Sequence, residues 1–89
     1  MKEIRKKAWA GTMESSDAYV EVEPAETLAV ELQSVVQAQF GPAIEAAVAD
    51  VAAQCGVTKG HVKVMDRGAL ECVIRARVET AIVRGKGEA

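Results

Sequence analysis

Ala18-Tyr19-Val20-Glu21-Val22-Glu23 sets Ala18, Val20 and Val22 against Tyr19, Glu21 and Glu23. Alternation with a period of two is the signature of a half-buried strand, with one face on a core and the other in water. Pro24, which has no amide donor, and the acidic Glu23 and Glu26 mark a turn. Leu28, Val30 and Leu32 then alternate with Ala29, Glu31 and Gln33, a second strand with room to run on to Val35. Two adjacent alternating runs joined by about four residues predict an antiparallel hairpin.

Downstream of the hairpin the period changes. Phe40, Ile44, Val48, Val51 and Cys55 recur at spacings of four, four, three and four, with Ala47 and Ala52 on the same face. This spacing predicts an amphipathic helix from about Gly41 to Cys55, with Pro42 in its first turn and Gly56 at its C-terminal cap. His61 to Asp66 alternates again through Val62 and Val64, a third or fourth strand. Asp66-Arg67-Gly68 turns the chain, and Leu70, Val73, Ile74, Val78, Ala81 and Ile82 return to helical spacing. Glu71 with Arg75 is an acid-before-base pair four residues apart, and Gly85 and Gly87 close the pattern. The fold class is α+β: a two-layer domain in the order β-β-β-α-β-α, with a short, mainly antiparallel sheet and two helices packed on one face.

Upstream, Ala8-Trp9-Ala10-Gly11-Thr12-Met13-Glu14-Ser15-Ser16-Asp17 ends a short apolar segment in two serines between Glu14 and Asp17. Gly11 and the small polar residues predict a bend that presents a hydroxyl. No histidine stands nearby in sequence to activate it, so the segment suits carrying a group better than attacking one. Met1 to Lys7 holds four of the eleven Lys and Arg residues and is expected to be a mobile, solvated arm, as is the tail over residues 85–89.

Composition restricts the function classes. The 89 residues make one domain, and a domain of this size buries only about 60 to 70% of its unfolded surface. With one Phe, one Tyr and one Trp, the core must come from Val, Ala, Leu and Ile, which leaves little room for a deep substrate pocket. A formal net charge of −2 argues against a nucleic-acid binder. The chain has neither the apolar run of a secretory signal nor about 18 consecutive apolar residues for a membrane span, so a cytoplasmic location is expected. Cys55 and Cys72 lie in apolar periodic segments and are expected to be buried, reduced thiols, with a disulfide or a reactive thiol as the alternative.

Other chemistry is thinly supported. His61 stands alone and reads as a structural or exposed side chain; no metal site is expected. Ser15, His61 and Asp17 supply the residue types of a nucleophilic triad without a Gly-x-Ser-x-Gly elbow. Arg67, Arg75, Arg77 and Arg84 read either as a solvated face with local ion pairs or as contacts for a partner or a phosphate.

Ala10-Gly11-Thr12-Met13-Glu14-Ser15-Ser16-Asp17, together with Asp66-Arg67-Gly68-Ala69-Leu70-Glu71-Cys72-Val73-Ile74-Arg75-Ala76-Arg77, resembles the citrate lyase acyl carrier proteins, the γ subunits of that complex. Gln39-Phe40-Gly41 between them matches the family's helix entry, and the similarity runs essentially end to end. The resemblance implies a carrier and not a catalyst. It makes Ser15, directly after the glutamate, the attachment point of 2'-(5''-phosphoribosyl)-3'-dephospho-CoA, whose terminal thiol holds acetyl or citryl as a thioester. Ser16 takes a position where glycine also occurs in the family. Implied partners are the α subunit (acyl transferase), the β subunit (citryl lyase), a prosthetic-group transferase and an acetylating ligase, with neither nucleic acid nor membrane. The related carrier of malonate decarboxylase, an ordinary phosphopantetheine carrier built as a helical bundle, and a small interaction adaptor are the competing readings.

Overall fold

The structure, a computed structural model, describes residues 3–34 and 37–88. Its elements are β1 (Ala8–Gly11), β2 (Ala18–Glu23), β3 (Leu28–Ser34), α1 (Gln37–Gln54), β4 (Gly60–Asp66) and α2 (Glu71–Lys86), the expected β-β-β-α-β-α order. The strands form one sheet in the order β1-β2-β4-β3. β1–β2 and β2–β4 pair antiparallel, and β3–β4 pair parallel.

The expected β2–β3 hairpin does not form, because β4 inserts between these two strands. Val62 and Val64 are fully buried and are flanked in register on one side by Val22 and Val20, and on the other by Val30 and Leu32. A strand with apolar partners on both sides is best placed in the middle of the sheet. The parallel β3–β4 pair then needs a crossover, which α1 supplies. The proposed continuation of β3 to Val35 lies outside the described residues.

Both helices cover the face carrying Ala8, Ala10, Val20, Val22, Leu32, Val62 and Val64, with α1 over β3, α2 over β1 and β2, and the helices against each other. Ile44, Val48 and Val51 of α1 meet Ile74, Val78 and Ile82 of α2 in one core. The opposite face of the sheet carries Trp9, Tyr19, Glu21, Lys63, Met65, Glu31 and Gln33, none of them buried. Alternation in the strands is thus a record of one covered face and one open face.

Helix α1 starts at Gln37 rather than near Gly41, so Pro42 lies inside it and not in its first turn. Phe40 and Leu70, expected in the apolar stripes, are 51% and 71% exposed, because the helices diverge at their starts and both residues line the open hollow between them. Gly56 closes α1 as expected. Its φ is +74°, and the Gly56 and Val57 amides donate to the Ala53 and Ala52 carbonyls, a left-handed cap that glycine adopts without strain. Gly87 closes α2 in the same way.

The expected arm and tail meet in the structure. Ile4 is buried, the Arg5 and Lys6 amides both donate to the Gly85 carbonyl, and Gly85 and Lys86 belong to α2. The Glu3 carboxylate accepts from the Thr58 hydroxyl and from the Thr58 and Lys59 amides, which hold its pKa below the ordinary carboxylate value.

Candidate functional site

The serines sit on the loop that connects β1 to β2. The Asp17 amide donates to the Glu14 carbonyl at 3.1 Å, closing a tight turn with Ser15 and Ser16 at its centre. Ser16 has φ +66°, the left-handed conformation that a turn of this kind requires at its third residue and that glycine adopts most readily. Ser15 keeps a negative φ and is exposed, and its hydroxyl has no hydrogen-bond partner among the described residues. The turn thus fixes the backbone of Ser15 and leaves its oxygen in solvent.

Two neighbours hold the turn to the body of the domain. Just past β4, the Arg67 carbonyl accepts from the Ser16 amide and the Arg67 amide donates to the Asp17 carbonyl, both at 2.9 Å. From α2, Arg77 grips Asp17 with two parallel bonds, Nε to Oδ1 at 2.9 Å and Nη2 to Oδ2 at 3.0 Å. The Asp17 carboxylate also accepts from the Thr12 hydroxyl at 2.7 Å and from the Ala18 amide at 2.7 Å. Arg77 first, then Thr12 and Ala18, hold the Asp17 pKa well below the carboxylate range. Gly11 allows this closeness: at φ +94° its missing Cβ would lie 1.9 Å from the Ala18 carbonyl oxygen and 3.1 Å from Arg77 Cδ.

Beneath the loop, Asp66 is 2% exposed and accepts from the Ser34 hydroxyl and from the Gly68 and Ala69 amides. It fixes the β4–α2 corner on which Arg67 stands. Met13, Gln33, Ser34, Met65, Asp66 and Arg67 line a hollow of about 230 Å³ beside the turn.

The arginines have different fates. Arg77 is committed to Asp17, and Arg75 binds Asp50 at 2.7 Å and Glu71 at 2.9 Å, pairings that raise the Arg75 pKa. The Arg67 side chain is exposed, with no hydrogen-bond or ion-pair partner among the described residues. The pairing of Arg77 with Asp17 across sixty residues is not visible in the sequence, where Asp17 counts only as a negative charge near the serines.

No triad assembles. His61 lies at the far end of β4, five residues or about 16 Å from the Asp66 corner, and its ring faces Glu31 at 3.3 Å and Glu23 at 3.7 Å. Among the described residues no group of three or more His, Cys, Asp and Glu could hold a metal ion, and no helix is long and apolar enough to cross a membrane. Both cysteines are unpaired; Cys55 is half-buried and Cys72 exposed, contrary to the expectation of two buried thiols. Cys72 falls on the outer side of the first turn of α2, opposite Ile74. Burial pushes the Cys55 thiol pKa up.

A family model described as "ACP: Malonate decarboxylase delta subunit (MdcD)" matches residues 5–85. The class is therefore that of small acyl carriers, non-catalytic subunits that hold a group while other proteins act on it. The citrate lyase acyl carrier protein of Haemophilus influenzae (strain PittEE) is 51% identical over 85 residues, covering 96% of this chain and 90% of that protein. Those of Escherichia fergusonii and Albidiferax ferrireducens are 49% and 47% identical, covering 92% and 96% of this chain and 87% and 89% of theirs. The chain belongs to the citrate lyase acyl carrier protein family. A crystal structure of a Thermus thermophilus protein matches 99% of this chain with a TM-score of 0.63 at 15% identity, and the match covers 17% of that longer chain. That likeness is one of fold alone.

Proposed function

We propose that this chain is the acyl carrier subunit of a citrate lyase complex, with 2'-(5''-phosphoribosyl)-3'-dephospho-CoA joined to Ser15 through a phosphodiester. The observation that carries the reading is a turn clamped from both sides that presents the exposed, unpartnered hydroxyls of Ser15 and Ser16, in a chain whose relatives are acyl carriers, and the position directly after Glu14 selects Ser15. Relatives near 50% identity named for citrate lyase favour that complex over malonate decarboxylase, the name on the family model.

The residues fit the group. A primary hydroxyl in solvent is open to a transferase and forms a phosphodiester without a lowered pKa. Bound there, the group supplies a terminal thiol on a long arm, on which acetyl or citryl is held as a thioester. Asp17, neutralised by Arg77, repels the phosphate little, which leaves Glu14 as the uncompensated carboxylate beside Ser15. Arg67 is anchored through its backbone to the turn, with its guanidinium free to face that phosphate. Arg75 and Arg77, already paired with carboxylates, serve the fold and the turn first. The α subunit (acyl transferase), the β subunit (citryl lyase), the prosthetic-group transferase and the acetylating ligase would each meet this exposed end of the domain, in the cytoplasm.

Intact and fragment mass spectrometry of the protein from its own host tests the reading. An adduct of the expected mass on the fragment holding Ser15, lost in Ser15→Ala and kept in Ser16→Gly, is the expected result. An unmodified chain in cells that make the attachment enzymes would leave a folded adaptor, and an adduct on Ser16 would move the site.

A further inference from the structure

The outer edge of β1 carries a cluster that the serine turn does not use. Trp9 is 55% exposed, and with Lys6, Lys7, Ala8 and Arg84 it lines a shallow hollow of about 330 Å³. Arg84 donates from Nη1 to the Trp9 carbonyl at 2.9 Å, which pins the guanidinium beside the indole and leaves its other N–H groups available. The Lys6 ammonium has no partner among the described residues, and Lys7 reaches Glu21 only at 3.9 Å. Three cations around one exposed indole stand out in a chain of formal net charge −2. An apolar protein partner would have to desolvate all three. A planar base bearing phosphates uses both features, since bases stack on aromatic faces and Lys and Arg bind phosphate.

We propose that this edge docks the adenine nucleotide portion of the group carried by Ser15, with the base on Trp9 and its pyrophosphate among Lys6, Lys7 and Arg84. The inference rests on the Ser15 reading. Trp9 lies three residues before Thr12, about 10 Å along the strand, and the serine turn follows directly. The phosphoribosyl unit between Ser15 and the nucleotide adds reach from the turn toward Trp9. With the nucleotide held against the sheet edge, only the thiol-bearing end of the arm projects toward partner active sites.

Trp9 is the chain's one tryptophan, so its fluorescence reports on this site alone. Unmodified Ser15→Ala protein titrated with ADP should show saturable quenching. The midpoint should be at least about tenfold weaker for adenosine and for the Lys6→Ala/Lys7→Ala pair, and should weaken with salt. Both lysines are exposed, so circular dichroism of that variant should be unchanged. Quenching that never saturates, or that ignores the lysine changes, overturns the proposal. In a sample whose mass shows the adduct on Ser15, Trp9 should be less accessible to acrylamide than in Ser15→Ala, and equal accessibility overturns docking. A missing adduct is a failure of the Ser15 reading instead, and the titration with free nucleotide still decides what the edge binds.

Discussion

Gly11 and Gly68 form a natural pair of controls for how the serine turn is held. Both have positive φ, +94° and +91°, so replacing either with alanine carries a similar conformational penalty, about 1–2 kcal/mol. Their surroundings differ. A Cβ on Gly68 meets nothing within 4 Å, whereas one on Gly11 would fall 1.9 Å from the Ala18 carbonyl oxygen, a contact that backbone must move to relieve. Forced repacking of this kind adds about 1–3 kcal/mol. For a domain of this size each kcal/mol shifts Tm by about 4–8 °C. Gly68→Ala should therefore lower Tm by roughly 4–16 °C, and Gly11→Ala by a further 4–24 °C or so, in a thermal melt followed by circular dichroism. Gly11→Ala should also slow attachment to Ser15, because the β1–β2 loop moves with it, while Gly68→Ala leaves attachment near normal. Equal Tm losses in the two variants would refute the argument that Gly11 exists for the close approach of β2.

The Asp17 carboxyl, followed by NMR, should titrate below the ordinary carboxylate midpoint of about 3.9, and Arg77→Gln should move it up toward that value. Because its folded pKa is depressed, Asp17 adds stability above the unfolded value, and this is lost only as pH falls through the lower folded one; an unmoved midpoint in the variant would exclude Arg77 as the chief cause. Asp66→Ala strips a half-buried hydroxyl and two amides of their shared buried acceptor and should cost about 2–4 kcal/mol in urea melts, while a loss under about 1 kcal/mol would mean that water replaces the carboxylate. Iodoacetamide at neutral pH should label Cys72 well before Cys55, since one thiol is exposed and the other is half-buried with a raised pKa; the reverse order on peptide mapping would contradict that placement.

Alternation makes β2, β3 and β4 legible in the sequence, because each strand buries one face and wets the other. Partner choice is not legible. The inward residues of β2 and β3 are as well suited to each other as to Val62 and Val64, and only the third apolar strand, supplied about thirty residues later, decides between them. The start of α1 is misplaced by sequence reasoning because Pro42 usually marks a first turn, and here the buried Ile44, Ala47 and Val48 hold a helix that begins earlier. Phe40 and Leu70 are drawn into apolar stripes by spacing alone, which does not register that the hollow between the two helix starts stays open. Ser15 is readable from the motif, whereas its clamp is not: Arg77 looks like one of several surface cations, and its geometry with Asp17 exists only after α2 has packed on β1 and β2.

Ser15 stands in a turn tied through Ser16 and Asp17 to Arg67 at the end of β4 and, through Asp17, to α2, which makes it a fixed mooring. It contributes no slack of its own, so every ångström between one partner's active site and the next must be covered by the attached arm. Partner subunits that share one carrier must then arrange their active sites within a single arm's radius of Ser15, where a tethered thioester is present at high effective concentration. The stiffness of this small loop would thereby set the spacing of a much larger assembly.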